Sequence, residues 1–323
     1  MIKNKKIIII GGDPNSINSE IIFKTWKKLS KSIKKNIFII ANYKLMKKQF
    51  YQLKYPLKLK IVKNLNEKSK KNVVRIINID LKFKDPFKVS KKNAATYVEN
   101  SLNIGHKLAM NKDVSGIINC PINKCLLRKR NFGVTEFLAN KCQIKNKSEV
   151  MMINNGNFSV CPITTHINIK NISKNIKFKT IITKVKTIQK FFKNFYKRNP
   201  KIGILGLNPH NAEFEKGSEE VNEIIPAISH LKRSRFNIKG PLVADTIFIN
   251  DYKKYDVIVG MYHDQVLSPF KTMYKFNAIN ITLGLKYLRL SPDHGVASSI
   301  IKKKIANHTS LYKCVMFLQK FGK

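Results

Sequence analysis

Short runs of apolar, mostly β-branched residues recur along this chain, separated by longer amphipathic or polar stretches. That alternation restricts the fold more than any other feature. The runs cover residues 6–11, 36–41, 73–79, 116–120, 150–153, 160–164, 202–207, 256–261 and 278–283. Such lengths suit strands buried on both faces. Two of the stretches between them read as helices. From Ser218 onward, Val221, Ile224, Ile225, Ile228 and Leu231 fall at helical spacing on one face. Glu219 and Glu220 stand in the first turn, where the helix dipole favours them. Pro226 lies inside this pattern and is expected to kink it. Residues 93–110 predict a second helix. Alternating strands and helices predict an α/β fold, with a parallel or mixed sheet covered on both faces. The chain has 323 residues, beyond the ~250–300 at which single cores stop growing, so two lobes are expected. The lysine-rich tracts 44–92 and 167–178 give no clear element, and no internal repeat is visible.

Several function classes are set aside by composition. No run of ~18 apolar residues occurs, so neither a transmembrane helix nor a membrane partner is expected. The first apolar run closes on Gly11-Gly12-Asp13-Pro14, a strand and turn rather than a signal peptide, so the cytoplasm is the expected compartment. Cys120, Cys125, Cys142, Cys161 and Cys314 are odd in number and form no Cys-x-x-Cys pair. Reduced, mostly buried thiols are expected. The net charge of +43 raises a nucleic-acid reading, because basic surface neutralises phosphates. The lysines are scattered, however, and only seven arginines occur. Compositional drift with no specific nucleic-acid partner is therefore the expectation, and a catalytically inactive nucleic-acid binder is the alternative of another class. The charge should still attract anionic small molecules.

Three of the seven histidines share one setting. Each of His166, His210 and His263 stands just past the end of an apolar run. In open α/β sheets, ligands bind at the carboxyl ends of strands. Three imidazoles meeting there suit a catalytic divalent metal with positions left open for water or substrate. Taken singly, each reads more readily as a satisfied core or loop histidine; the shared placement is what favours a common site. His106, His230, His294 and His308 lack this placement, although His294 lies in an Asp-His-Gly turn. Lys271, Asn280 and Arg289 offer donors suited to a phosphate or carboxylate. No Gly-x-Gly-x-x-Gly follows the first strand, so the usual dinucleotide fingerprint is not used.

Collinear blocks then carry a family resemblance. They are Cys120-Pro-Ile-Asn-Lys124, Thr135-Glu-Phe-Leu-Ala139, Thr164-Thr-His166, Gly206-Leu-Asn-Pro-His210, Gly240-Pro241 with Ala244-Asp-Thr246, Met261-Tyr-His-Asp-Gln265, and Ile281-Thr-Leu-Gly-Leu285 with Asp293-His-Gly295. Gly12-Asp13-Pro14 and Glu20-Ile21 extend the match toward the amino terminus. The chain resembles the 4-hydroxythreonine-4-phosphate dehydrogenases of pyridoxal phosphate biosynthesis. The resemblance implies two α/β/α lobes of the isocitrate/isopropylmalate dehydrogenase type, with the active site in the cleft between them. The lobes would be 1–130 plus 275–323, and 131–274, the second carrying the histidines. A homodimer sharing its sites between subunits is also implied. His166, His210 and His263 become metal ligands for zinc, magnesium, manganese or cobalt. Thr135, Lys271, Asn280 and Arg289 become contacts to a small phosphorylated amino acid. The implied reaction is NAD- or NADP-dependent oxidation and decarboxylation of 4-phosphohydroxy-L-threonine to 3-amino-2-oxopropyl phosphate. Lys271 or a metal-linked water is the expected proton acceptor, and Asp245 and Asp264 are expected to orient the histidines, Asp264 within the catalytic set.

Departures from the family pattern also stand out. Val134 replaces the usual histidine before Thr135, which keeps a sister dehydrogenase of D-threonate or D-erythronate 4-phosphate as an alternative. Ser16, Asn18 and Ser19 replace two glycines and a proline, so a changed loop geometry is expected. The stretch 211–217 is one residue short and lacks two glycines, and Lys286 stands in place of proline.

Overall fold

The computed structural model describes residues 5–67, 72–127, 133–145 and 147–322. Among them the strands are β1 (Lys6–Ile10), β2 (Ile37–Ala41), β3 (Lys58–Ile61), β4 (Val73–Asn78), β5 (Val114–Asn119), β6 (Val150–Asn154), β7 (Ser159–Pro162), β8 (Ile202–Leu205), β9 (Ile238–Leu242), β10 (Val257–Gly260), β11 (Ile279–Leu283) and β12 (Arg289–Pro292). All nine apolar runs form strands. The chain divides into two compact units, Met1–Cys142 with Leu285–Lys323, and Gln143–Gly284. The helix Val134–Lys141 joins the first unit, and β11 pairs with β6 inside the second. The lobe border expected at residue 130 lies outside the described residues.

In the first unit the strands run β3-β4-β2-β1-β5-β12, with parallel neighbours. Ile7 to Ile10 lie in register with Ile37 to Ile40. These residues are almost wholly buried. Burial on both faces explains why the runs are continuously apolar rather than alternating. One face is covered by the helix Lys91–Ala109, which buries Ala94, Tyr97, Val98, Ser101, Leu102, Gly105 and Ala109 at steps of three and four. Ser90 caps it by accepting the Asn93 amide. Gly105 permits the close approach, since a Cβ there would stand 2.5 Å from Ile10 Cδ1.

In the second unit the order is β11-β6-β7-β10-β8-β9. The pairings of β6 with β11 and β7 are antiparallel, and the remainder are parallel. The three strands that precede the marked histidines, β7, β10 and β8, are therefore immediate neighbours with carboxyl ends on one edge. Residues 219–233 are helical, but a π-helical turn, Glu220–Ile224, precedes the α-helix Ile225–Arg233. Pro226 falls in the first turn of that α-helix, where a missing N–H costs nothing. It marks the change of helix type rather than a kink within one helix.

Candidate active site

Strand order places the three histidine-bearing loops side by side, about 5 Å apart, the spacing of paired strands. His166 follows β7 across Ile163-Thr164-Thr165, and His263 opens the helix His263–Tyr274 after Met261-Tyr262, which follow β10. Their ring centroids lie 5.6 Å apart, with the ring planes tilted by 40°. An ion ~2.1 Å from each ring nitrogen can be shared at that separation. Nδ1 of His263 is bonded to Asp264 Oδ1 at 2.6 Å, which directs Nε2 toward ligation. Imidazole donors fit a divalent ion of borderline softness. Among the described residues, no three His, Cys, Asp or Glu side chains are grouped closely enough to hold an ion as they stand. His166 and His263 are paired, and His210 stands on the adjoining loop, after β8.

His210 lies in an unusual turn. From His210 through Phe214, five successive residues adopt positive φ, between 47° and 58°. Left-handed backbone costs an L-residue roughly 1–2 kcal/mol, so the surroundings must hold the turn. Glu220 does much of this. Its fully buried carboxylate accepts the amides of Leu207 at 2.6 Å and Asn208 at 2.8 Å, and the Asn208 side-chain amide at 2.8 Å. Asn211 adds a bond to the Pro241 carbonyl at 3.4 Å. The glycine-poor stretch after His210 is thus built as a left-handed turn of ordinary residues. In the sequence Glu220 reads only as a first-turn acid favoured by the helix dipole, because no spacing rule links it to Asn208.

In the first unit, Arg289 on β12 is 4 % exposed. Its Nε donates to Asn119 Oδ1 at 2.6 Å, and Nη1 reaches Thr135 Oγ1 at 3.4 Å. Burial pushes the guanidinium pKa down to about 10, and the nearby Glu136 carboxylate opposes that shift. A buried cation fixed by neutral partners can hold an anionic group bidentately. Asn280 on β11 keeps its Oδ1 buried without a hydrogen-bond partner. Lys271 lies half-buried on the helix His263–Tyr274. Asp245 is exposed in the turn after β9 and makes no side-chain hydrogen bond among the described residues. The structure thus brings together His166 with His263, His263 with Asp264, and Thr135 with Arg289.

A cavity of about 390 Å³ opens in the first unit, lined among others by Asp13, Asn15, Lys91, Asn123, Cys125 and Ser298. It lies where the loops after β1 and β5 meet. The altered loop is held by side-chain bonds: Asn18 Nδ2 donates to the carbonyls of Gly11 at 2.9 Å and Pro121 at 2.8 Å. Gly12 has φ +74°, and a Cβ there would meet the Pro121 carbonyl at 2.6 Å. Burial raises the carboxyl pKa of Asp13.

The model of the family described as pyridoxal phosphate biosynthetic protein PdxA matches residues 33–317. The chain belongs to this family. A 4-hydroxythreonine-4-phosphate dehydrogenase from a Sulfurihydrogenibium species is 37% identical over 319 residues, covering 96% of each chain. A relative from Oceanobacillus iheyensis, named as a D-threonate 4-phosphate dehydrogenase, is 33% identical and covers 74% of this chain and 72% of its own. The crystal structure of the Klebsiella pneumoniae 4-hydroxythreonine-4-phosphate dehydrogenase superposes with TM-score 0.84 at 26% identity, covering 99% of this chain and 100% of that one. This PdxA-family chain is accordingly an α/β dehydrogenase, an oxidoreductase of pyridoxal phosphate biosynthesis, and that class uses a nicotinamide cofactor. No helix among the described residues is long and apolar enough to cross a membrane.

Proposed function

We propose that the protein oxidises 4-phosphohydroxy-L-threonine at its C3 hydroxyl, passing hydride to NAD or NADP, and releases carbon dioxide to leave 3-amino-2-oxopropyl phosphate. The observation that carries this reading is the adjacent pair His166 and His263, with His210 on the adjoining loop. These three residues would hold the divalent ion, whether zinc, magnesium, manganese or cobalt. A bound ion would supply Lewis-acid polarisation of the substrate's oxygens. Asp264 holds the His263 ring in one tautomer. Asp245 takes the corresponding outer position in this reading. Arg289, positioned by Asn119 and Thr135, binds an anionic end of the substrate. Asn280 offers a buried amide oxygen that lacks a partner, suited to a substrate N–H or O–H donor. Lys271 accepts the hydroxyl proton. Part of the nicotinamide cofactor occupies the first-unit cavity, at the carboxyl ends of β1 and β5, the usual position for ligands of parallel sheets. The protein works as a homodimer in the cytoplasm.

A second substrate remains in view. Val134 opens the helix that carries Thr135 and packs against the first-unit core, an apolar residue in place of a hydrogen-bonding one, and the Oceanobacillus relative is named for D-threonate 4-phosphate. Turnover of the amino acid and the hydroxy acid, each with NAD and with NADP, decides between them. Preference for 4-phosphohydroxy-L-threonine is expected. Preference for D-threonate 4-phosphate would transfer the assignment to the sister reaction.

A further inference from the structure

The three histidine-bearing loops are joined by a hydrogen-bond chain that crosses the edge of β7, β10 and β8. Its centre is Met261, the residue that follows β10. The Met261 carbonyl accepts from Thr164 twice, from the backbone amide at 3.1 Å and from Oγ1 at 2.8 Å. The Met261 amide donates to Gln265 Oε1 at 2.7 Å. At its other end, Gln265 Nε2 donates to the Gly206 carbonyl at 2.8 Å. Thr164 is two residues before His166, Met261 two before His263, and Gly206 four before His210. One threonine and one glutamine therefore fasten all three loops to a single residue.

Each link has a definite chemical direction. A backbone N–H can only donate and a carbonyl can only accept, so the two contacts of Gln265 demand an amide in one orientation. A carboxylate at this position would repel the Gly206 carbonyl, and an apolar side chain would leave both backbone groups unmatched. Space is equally restricted. A Cβ on Gly260 would meet Gln265 Oε1 at 2.9 Å, and one on Gly206 would meet Asn211 Oδ1 at 2.1 Å. Gly260, at the end of β10, thus leaves room for Gln265, and Gly206, just past β8, leaves room for Asn211.

We propose that Gln265 is a positioning residue of the metal centre, bracing the loop of His210 against that of His263, with Thr164 bracing the loop of His166 to the same point. The proposal rests on the assignment of the three histidines to one divalent ion. Gln265 itself touches neither ion nor substrate in this scheme. It acts by fixing the backbone of the loops that carry the imidazoles before an ion arrives, which preserves affinity that flexible loops would lose.

Cobalt(II) titration of the metal-stripped protein tests this, with affinity and the visible ligand-field spectrum as readouts and metal-free thermal unfolding as a control. Four variants are compared with the parent: Gln265→Met, which keeps length but removes both bonds; Thr164→Val, which removes the hydroxyl; Thr164→Ser, which restores it; and His263→Ala, which removes a ligand. One ion per chain is expected in the parent and none bound tightly in His263→Ala. Gln265→Met and Thr164→Val should bind at least ~10-fold more weakly with altered spectra, the scale of outer-shell changes. Thr164→Ser should match the parent. If Gln265→Met does not fold, Gln265→Glu enters the same titration, and weakened binding is again expected. Parent-like affinity and spectrum in the Gln265 and Thr164→Val variants would overturn the positioning role while leaving the histidine assignment intact. Failure of the parent to bind cobalt would overturn that assignment, and the inference with it.

Discussion

Asp264 Oδ1 and His263 Nδ1 lie 2.6 Å apart, at the first turn of the helix that follows β10. The bond settles which ring nitrogen His263 presents. Because Asp264 is largely exposed, solvent screens the pair, so its contribution belongs at the lower end of the range for such contacts. Asp264→Asn should weaken divalent-ion affinity by about 10-fold, measured by competition with a chelating dye. Unchanged affinity would remove Asp264 from the site.

The left-handed turn at His210 makes a prediction about stability. Ala212 has φ 52° and ψ 30°, where an L-residue costs roughly 1–2 kcal/mol and glycine much less. Glycine's greater freedom in the unfolded chain offsets part of that difference. Ala212→Gly should therefore stabilise the protein by about 0.5–1 kcal/mol, read as a higher urea midpoint at constant m-value. A lower midpoint would contradict this backbone geometry.

Much of the architecture was legible because burial on both faces demands continuous apolar runs, as in Ile7–Ile10 and Val257–Gly260. The strands that escaped notice lack that signal. β3 alternates lysine with apolar residues on a largely exposed edge, β9 contains Gly240-Pro241, and β12 reads Arg-Leu-Ser-Pro. The histidines were visible as strand-end residues, but their adjacency follows from strand order, which no local pattern encodes. Glu220 and Gln265 were hidden for a related reason. Most of their partners are backbone groups, and backbone groups leave no mark in a sequence. The loop 12–20 shows the converse: its substituted residues were conspicuous, while the bonds by which Asn18 closes the turn required coordinates.

Arg289 offers a test that separates function from stability. Its pKa is lowered on folding, so the folded state binds that proton more weakly than the unfolded state does. The burden on stability is full below a pH of about 10 and is relieved as pH rises toward the ordinary guanidinium value. Arg289→Met should thus be no less stable at neutral pH, within about 1 kcal/mol, because replacing a buried charge with apolar bulk is often neutral. The same variant should raise KM for the phosphorylated substrate by at least ~10-fold. Calorimetry and steady-state kinetics check both. An unchanged KM would remove Arg289 from substrate binding.

Cys125 reports on the cavity. It is exposed and lines that space, whereas Cys120, Cys142, Cys161 and Cys314 are buried. Burial also pushes the Cys120, Cys161 and Cys314 thiols well above their usual range, which suppresses thiolate. A thiol reagent should label one cysteine in the native protein and five after unfolding, and saturating NAD should slow the native reaction several-fold. Labelling indifferent to NAD and NADP would place the cofactor elsewhere.

The most direct test of the central claim is a single turnover assay on chelator-treated protein, supplied with NAD and 4-phosphohydroxy-L-threonine, in which reduced nicotinamide and carbon dioxide are followed before and after a divalent ion is restored. Both products should appear together, in equal amounts, only after the ion is added, and His210→Ala should remain silent while folded. Cofactor reduction that is indifferent to the ion, or that survives intact in His210→Ala, would contradict the histidine metal site on which this account rests.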